Sequence, residues 1–589
     1  MNIVSAVKKN ATIIPATAFL AVFFLMPVVK LLQLSIFDKG GSLTYRNFQQ
    51  VFTDESFLRV ILRTLEISAW TTALAILGGY PVAYFLSTVS PKTKNLLTIL
   101  VLMPFWTSFL VRAFAWMIVL GRKGVINESL IGLGLLSSPV QLNYNFIGVM
   151  VGMVHALAPL GILTMLSTME KIDDNLIKAA TTLGSRRGPA FWLIFFPLSL
   201  PGVVSGALLI FISAIGFFIT PALLGGAQES MISQVIIFQI QRAVNWNLAG
   251  ALSFVLLAIV LVLFFVYDRL FGMSKLTGSV SRSGEGKRRK KGPSGSLAGS
   301  IILRALAGAS EIGGIALDNI SLRKRKHHAR SYSTVVRCVA ICFIAFLVLP
   351  TLFIIPESFT TASFLSWPPV GFSTKWYELA LHSHVWVSAI SRSVVVALLS
   401  ACLSMLLGVP AAFFVGRSSA RGKGVLFAFL IAPMIVPSII IAVALFYVFS
   451  YVGLVGTTAG LVLGHAVLSV PYVVIAMIAV VKGHDQRLDK AALTLGATPV
   501  QVFRYIVSPL MRSGFVAAFT FAFIISLDEL TVALFVTGGE MTTLPKQMWD
   551  DSLMKVSPLL AAVASMLLAF MTTLILIAEV VRRRSARAV

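Results

Sequence analysis

Residues 178–202 read KAATTLGSRRGPAFWLIFFPLSLPG, and residues 490–514 read KAALTLGATPVQVFRYIVSPLMRSG. At a constant offset of 312, the two segments share eleven identical residues over 25 positions. Further upstream, Pro81 corresponds to Pro410 and Pro104 to Pro433, at an offset of 329. Self-similarity at a fixed spacing indicates a repeated structural unit, and here it extends through most of each half of the chain.

The composition around this repeat is that of a membrane protein. The 589 residues are 57% hydrophobic and 12% charged, with a mean hydropathy of +0.90. A soluble domain carries about 25% charged residues, so this chain has too few polar groups to cover a surface in water. Disordered and collagenous proteins are excluded for the same reason. The three cysteines all lie in apolar runs and have neither disulfide-framework nor zinc-site spacing.

The apolar runs predict twelve transmembrane helices. A helix needs about 20 apolar residues to cross a bilayer, and continuous runs of that length argue against the alternating pattern of barrel strands. Six runs fall in each half, so both copies have the same orientation. The predicted fold is an all-α polytopic membrane protein of two parallel six-helix repeats, related by a pseudo-two-fold axis along the membrane normal. The spans are expected near 13–35, 62–88, 96–120, 146–168, 192–219, 248–270, 336–356, 389–415, 425–450, 458–481, 511–537 and 557–581.

The net charge of +25 is distributed in a way that predicts topology. Clusters of Lys and Arg occupy alternate loops, and short cytoplasmic loops are the ones enriched in these residues. Both termini are therefore predicted to be cytoplasmic. The first apolar run is longer than a signal-peptide core and lacks a small-residue cleavage site, so we expect it to be retained as a helix.

A basic segment separates the two halves. Residues 272–334 contain thirteen Lys and Arg against three Asp and Glu, with Gly, Ser and Pro between them. We interpret the segment as a flexible cytoplasmic linker; the alternative is a patch that binds anionic lipid or nucleic acid. The expected domains are 1–271, with a core at 60–270, and 335–589, with a core at 388–581.

The repeated loop has a readable local structure. Aspartates precede an Ala-Ala pair in both copies, and carboxylates stabilise a helix N-terminus. Gly184 and Gly496 follow, and glycine commonly ends a helix in the left-handed conformation. Pro197 and Pro509 then fall near the start of the next span, where a missing N–H is tolerated. The sequence therefore predicts a short loop helix, a turn and a membrane helix.

This motif resembles the cytoplasmic EAA loop of permease subunits of ATP-binding-cassette (ABC) importers. In that family the loop contains a helix that docks into a cleft on an ATPase subunit, so the resemblance implies two ATPase partners, one for each loop. Both copies depart from the family pattern in the same way, because lysine replaces the family's Glu. The resemblance assigns ATPase coupling to Lys178, Ala179, Ala180, Gly184, Ile194 and Pro197, and to Lys490, Ala491, Ala492, Gly496, Ile506 and Pro509.

Three further segments narrow the resemblance. MPFWTSFLVRAFAW (103–116) and GVINESLIGLGLL (124–136) are similar to the first permease subunit of spermidine/putrescine importers, and SLDELTVALFVTGGEMTTLP (526–545) to the second. The resemblance implies a fused type I importer permease in a bacterial inner membrane, supplied by an extracytoplasmic solute-binding protein. Permeases for iron(III), thiamine or 2-aminoethylphosphonate look similar and stay as alternative substrates.

The chain has no sequence signature of catalysis. No G-x-x-x-x-G-K-[ST] motif is present, so we expect no ATP site on this chain, and ATP and Mg²⁺ should bind the partner subunit. No cofactor, metal or nucleic acid is expected. A secondary transporter coupled to ions is the alternative from another class, and it would need ion-site carboxylates at mid-membrane. A membrane enzyme would need a polar catalytic cluster.

Ionisable residues within membrane spans are functional candidates because burying them is costly. Asp528 and Glu529 are predicted near the external end of the eleventh span, as a mouth that attracts cations; the alternative is an interfacial cap or salt bridge. Trp106 is a further candidate for lining the path. Arg63 and Arg112 are expected to pair or to extend to the interface.

Overall fold

A computed structural model describes residues 11–37, 42–185, 187–271, 334–418, 420, 422–538 and 541–587. Within these ranges the regular elements are helices, and β structure is limited to the isolated bridges Phe37–Leu43 and Gly538–Met541. The predicted all-α class is confirmed. The segment predicted as a linker lies outside the described residues, except for Thr334.

Twelve helices make up the described part of the first half. Two of them contain a π-helical turn, at Ala21–Leu25 and Phe191–Phe195. The helices are α1 (Ile14–Ile36), α2 (Arg46–Thr53), α3 (Glu55–Thr88), α4 (Pro91–Leu102), α5 (Phe109–Val119), α6 (Val125–Gly132), α7 (Phe146–Met169), α8 (Asp174–Thr182), α9 (Gly188–Ile215), α10 (Ile219–Leu224), α11 (Ile232–Gln241) and α12 (Trp246–Phe271).

The described part of the second half repeats this order with two differences: α6 has no counterpart there, and the two helices Pro499–Leu510 and Arg512–Leu527 stand in place of the single helix α9. A π-helical turn at Phe503–Val507 stands at the position of the one at Phe191–Phe195. The helices are α13 (Thr334–Ser358), α14 (Lys375–His382), α15 (His384–Arg417), α16 (Lys423–Ile435), α17 (Ser438–Val452), α18 (Thr458–Gly483), α19 (Gln486–Thr494), α20 (Pro499–Leu510), α21 (Arg512–Leu527), α22 (Thr531–Val536), α23 (Leu544–Met554) and α24 (Pro558–Arg587).

The number of spans agrees with the prediction of twelve. Nine helices of the described chain are long and apolar enough to cross a membrane, and three bent helix pairs raise the number to as many as twelve. The predicted spans at 96–120 and 425–450 are wrong in one respect, because each is broken, whereas the third bend lies at the start of the predicted span 511–537. The α4/α5 and α16/α17 pairs bend by 91° and 94°, and the α20/α21 pair bends by 75°.

Proline explains the bend between α16 and α17. Pro437 has no backbone N–H and disfavours helical geometry in the preceding residue, and Val436 is extended, with φ −73° and ψ 128°. In the first half the corresponding position is Ser108, which follows the extended Thr107 and caps α5 by accepting a hydrogen bond from Leu110 N–H at 3.2 Å. The bend therefore recurs at the same place in both repeats, with different local chemistry.

The first span of each half packs against the other half. Phe23 of α1 contacts Phe449 of α17, with ring centroids 6.3 Å apart. Phe343 of α13 lies so close to Gly78 of α3 that a Cβ at residue 78 would stand 2.2 Å from the ring. One cluster of buried apolar residues runs continuously from α1 and α5 to α15, α18 and α21, so the repeats share a core.

Candidate functional site

The two loop helices, α8 and α19, have the same caps. The Asp173 carboxylate accepts a hydrogen bond from Asn175 N–H, and Asp485 accepts one from Arg487 N–H, each at 2.9 Å. Gly184 and Gly496 end the helices with φ of +89° and +87°. Only glycine adopts this conformation without a steric penalty, so the predicted left-handed caps are confirmed.

The membrane helix after each loop begins with a π-helical turn. Phe191–Phe195 and Phe503–Val507 are separated by the repeat offset, and Pro197 and Pro509 follow two residues later. Proline donates no hydrogen bond, and π turns occur where the regular ladder is interrupted. The repeated proline thus accompanies a locally widened helix in both halves.

The loop helices expose apolar side chains. Leu183 and Leu495, at equivalent positions, are each 88% exposed, and Lys178 and Lys490 are exposed beside them. In the second half Leu495 borders a groove of about 450 Å³ between α19 and α20. The groove is lined by Leu488, Ala491, Ala492, Leu495, Tyr505, Ile506, Pro509 and Leu510.

Asp489 makes contacts that its position in the sequence did not indicate. The sequence predicts that its carboxylate stabilises the start of the loop helix, but the carboxylate is buried, forms an ion pair with Arg417 at 2.8 Å and accepts a hydrogen bond from His484 at 2.7 Å. The repeat contained a usable signal, because the corresponding residue of the first half is the apolar, buried Ile177. An acid at a position that is buried in the other copy needs a partner.

The broken spans meet at the boundary between the two halves. Asp528 caps the C-terminus of α21, and its Oδ2 accepts a hydrogen bond from Phe109 N–H, at the N-terminus of α5, at 3.5 Å. Among the described residues, its buried Oδ1 has no hydrogen-bond partner. The positive charge of the Arg112 guanidinium also interacts with this carboxylate. The second half therefore directs a negative charge at the bend of the first.

The opposite contact across the pseudo-two-fold axis has no charge. Gly216 corresponds to Asp528, and Pro437 corresponds to Ser108. A Cβ on Gly216 would lie 2.9 Å from the Pro437 Cβ, so the two backbones are in close contact there. The two crossing points have equivalent locations, but only one of them carries a carboxylate.

Glu529 and Trp106 lie on either side of this boundary. The Glu529 carboxylate accepts a hydrogen bond from Val532 N–H at 2.7 Å and so caps the start of α22. Trp106 ends the 3₁₀ turn Met103–Trp106 that precedes the bend between α4 and α5. Its backbone lies two residues before Ser108; the structure does not describe its side chain.

Arg63 and Arg112 have different environments. Arg63 pairs with Glu66 at 2.8 Å and with Glu229 at 2.9 Å, as the pairing hypothesis predicts. Arg112 does not extend to an interface: it is 2% exposed, donates to the Ala156 carbonyl at 3.1 Å and lies over the Phe109 ring. The helical packing around α5 encloses this guanidinium. Sequence position alone did not distinguish these two outcomes.

The described residues contain no group of three or more His, Cys, Asp and Glu side chains suited to hold a metal ion. Glu229 and Asp489 instead pair with basic side chains, Arg112 contacts a backbone carbonyl, and both oxygens of the buried Glu357 have no hydrogen-bond partner among the described residues. The contacts that the sequence did not predict are those of Glu229 with Arg63, of Gly216 with Pro437, and of Asp489 with Arg417 and His484.

Comparison with known proteins identifies a repeated family domain. Residues 75–274 and 408–587 each match the family described as binding-protein-dependent transport system inner membrane component. The chain is 34% identical over 275 residues to the spermidine/putrescine transport system permease protein PotB of Haemophilus influenzae, a match covering 46% of this chain and 96% of PotB. It is 30% identical over 240 residues to PotC of Escherichia coli, covering 41% of this chain and 90% of PotC.

Solved structures give a weaker match. A crystal structure of a bacterial ABC transporter involved in the import of the acidic polysaccharide alginate aligns with 17% sequence identity and a TM-score of 0.34. The alignment covers 43% of this chain and 98% of that one.

Proposed function

Because this chain belongs to the family of binding-protein-dependent transport system inner membrane components, with two copies of the family domain, we propose that it is the complete membrane pathway of a polyamine importer. It is a permease of the type I ABC importer class, related to spermidine/putrescine permeases. The observation that carries the substrate proposal is this similarity, found with both PotB and PotC. A single chain here has the two repeats that those relatives supply separately.

The loop helices are the proposed docking sites for two ATPase subunits. Leucines that are largely exposed next to the water phase are expensive to leave uncovered, and exposed apolar patches mark protein contacts. The equivalent exposure of Leu183 and Leu495 supports one ATPase at each loop. The groove beside α19 would receive an apolar side chain of the partner. ATP and Mg²⁺ would bind the ATPase, and its closure would move the loop helices.

The lysines in these loops favour an acidic partner surface. Lys178 and Lys490 are exposed, at the same position of each loop helix. We expect a carboxylate on the ATPase opposite each of them. Charge reversal at both positions should weaken ATPase binding most at low ionic strength, because salt screens exposed charges. A complex structure with neither lysine near an acid would contradict this pairing.

The boundary between the halves is the proposed substrate path. A polyamine is a flexible polycation, and a carboxylate with an unpartnered oxygen is a suitable group to attract it. Asp528 provides that oxygen where the broken spans cross, and Glu529 is the next residue. Trp106 precedes the opposing bend and remains a candidate lining residue. The buried location favours electrostatic contact, because few water molecules screen the charge.

The remaining partners follow from the proposed class. An extracytoplasmic solute-binding protein would deliver the polyamine to the end of the bundle opposite the loop helices. The chain would lie in a bacterial inner membrane with both termini in the cytoplasm, as the Lys and Arg distribution predicts. The segment 272–334 would tether the two halves on the cytoplasmic side.

Reconstitution tests the proposal directly. The chain is incorporated into lipid vesicles with its ATPase and binding protein, and uptake of labelled spermidine is measured with and without ATP. Putrescine, 2-aminoethylphosphonate, thiamine and iron(III) are added as competitors. We expect ATP-dependent uptake inhibited by putrescine alone among these. Inhibition by another competitor would reassign the substrate, and uptake driven by an ion gradient without ATP would support a secondary transporter.

A further inference from the structure

One carboxylate joins three elements at the second loop. Asp489 lies in the first turn of α19, and its Oδ2 pairs with Arg417 Nη1 at 2.8 Å. Its Oδ1 accepts a hydrogen bond from His484 Nε2 at 2.7 Å. Arg417 is the last residue of the long span α15, and His484 caps the C-terminus of α18. Both oxygens of one buried acid thus connect the loop helix to two membrane spans.

The arginine has few alternatives to this contact. Its Nε and Nη2 are buried and have no hydrogen-bond partner among the described residues. The guanidinium lies over the Phe413 ring, 4.9 Å from its centroid, and that ring contacts Phe503 at the start of the π-helical turn. Loss of Asp489 would leave a poorly solvated positive charge at the end of α15, which is unfavourable.

The first half makes the corresponding connection without charge. The repeat offset places Ile172 opposite His484 and Ile177 opposite Asp489, and the upstream offset places Thr88 opposite Arg417. Ile177 is buried in an apolar cluster, and Ile172 packs against that cluster. At these equivalent positions the first half therefore has the apolar contacts of Ile172 and Ile177, whereas the second half has a directional ion pair and a directional hydrogen bond.

Directional pairs restrict relative movement more than apolar contact does. An apolar surface can slide with little loss, but a buried ion pair loses most of its attraction when its two charges separate and neither is solvated. The charges also suit their positions, because an anion is favoured in the first turn of α19 and a cation at the C-terminus of α15.

We propose that Arg417, His484 and Asp489 are positioning residues that transmit movement of the second loop helix to α15. The inference rests on the proposed docking of an ATPase on α19. The contacts between a loop helix and the neighbouring long span then differ in chemistry between the two halves. In the second half α15 and α19 move as one body, whereas in the first half the loop helix can shift against α3. Spans α15 and α18 would then follow the second ATPase subunit closely.

The chain is reconstituted with its ATPase and binding protein, and the number of solute molecules taken up per ATP hydrolysed is measured. Arg417→Ala and Asp489→Asn should each lower this ratio at least about tenfold while leaving the KM of the ATPase for ATP unchanged. The triple variant Arg417→Thr, His484→Ile, Asp489→Ile copies the first half and should recover most of the ratio. Glu170→Gln, which removes the Lys94–Glu170 pair of the first half, is the matched control and should have no effect.

Spin labels give a measurement that is independent of the solute. In a chain with Cys338, Cys342 and Cys402 replaced by Ser, labels are placed at the exposed Leu406 of α15 and Leu493 of α19. We expect their distance to stay constant when ATP is added to the otherwise native complex, and to change in the Arg417→Ala variant. An ATP-dependent change without Arg417→Ala would overturn the proposal, as would single variants with an unchanged ratio.

Different measurements separate failure of the proposed substrate or docking from failure of the proposed transmission of movement. A native complex that hydrolyses ATP but takes up no spermidine removes the substrate assignment, while the label distances still test the transmission. An ATPase that does not bind the loops in a pull-down with purified chain removes the docking proposal, and the transmission falls with it. Reduced amounts of folded Arg417→Ala and Asp489→Asn, with a native uptake ratio in the folded fraction, would assign the three residues a purely structural role.

Discussion

The backbone N–H of Phe109, in the first half, donates a hydrogen bond to the carboxylate of Asp528, in the second, at 3.5 Å. The residues are 419 positions apart, and the contact joins the ends of two broken spans. A helix N-terminus carries partial positive charge, so the carboxylate is placed where it is favoured. At the equivalent crossing, Gly216 lies close to Pro437, and neither residue carries a charge.

Removing the charge of Asp528 should impair uptake. Asp528→Asn retains the size of the side chain but weakens both the contact with Phe109 and any attraction of a cation. We expect the initial rate of spermidine uptake to fall about tenfold, the effect of losing about 1.4 kcal/mol. Asp550→Asn, on α23, is the control for the same chemical change and should leave the rate unaltered. Equal rates for Asp528→Asn and the native chain would exclude Asp528 from the path.

A side chain at residue 216 should separate the two halves. In Gly216→Ala the new Cβ would lie 2.9 Å from Pro437 Cβ, and a proline ring cannot move aside as a flexible side chain does. We expect overpacking to cost about 1–3 kcal/mol, measured as a lower melting temperature in detergent. Gly132→Ala, where no atom lies within 4 Å of the added Cβ, is the control. An unchanged melting temperature for Gly216→Ala would mean that the boundary adjusts freely.

Gly184 and Gly496 should be required for ATPase binding because of their positive φ alone, and not because a side chain there would clash with neighbouring atoms. No atom lies within 4 Å of a Cβ built on Gly184 or Gly496, so alanine there meets no steric clash with neighbours. A positive φ costs a residue with a Cβ about 1–2 kcal/mol. We therefore expect Gly184→Ala and Gly496→Ala to weaken ATPase binding by a factor of about 5–30 each, measured by titration of the labelled ATPase.

The control for these two variants is Gly424→Ala. Its added Cβ also has nothing within 4 Å, but its backbone does not have a positive φ. Binding equal to that of the native chain is expected for Gly424→Ala. If Gly184→Ala and Gly496→Ala behaved in the same way, the turn conformation would have no role in docking.

Breaking the pair between Arg63 and Glu229 should destabilise the first half. Glu229 is 7% exposed and holds both Arg63 and the backbone N–H of Gly226, at 2.9 Å each. In Glu229→Gln we expect a loss of about 2 kcal/mol, less than for a fully buried pair because Arg63 keeps Glu66. The measurement is thermal unfolding of the purified chain.

Glu66→Gln is the matched control for that experiment, because it removes the other partner of the same arginine. The Glu66 side chain is 46% exposed, and exposed pairs contribute about 0–1 kcal/mol. A loss for Glu66→Gln as large as that for Glu229→Gln would contradict the importance of burial.

The sequence predicts local structure, such as helix caps and turns, where residues adjacent in the chain determine the backbone conformation. The caps at Gly184 and Gly496 depend on a few consecutive residues, and the repeat showed that both loops adopt one structure. The breaks in the third and ninth spans were missed, because a run of apolar residues looks the same whether the helix is straight or bent. Pro437 was a signal for one break, but Ser108 gives no comparable signal for the other.

The sequence by itself determined the membrane environment, the two repeats, the number of spans and the structure of the loops. Each of these depends on composition, on periodicity or on contacts between residues close in the chain. Only the tertiary structure decided that Asp528 faces Phe109, that Gly216 meets Pro437 and that Asp489 holds Arg417. The physical reason is that a buried charge or a close backbone contact depends on what packing brings opposite it, and these partners lie in different helices. The distribution of the net charge of +25 predicts topology, whereas the few charges placed by packing are the ones for which we propose a function.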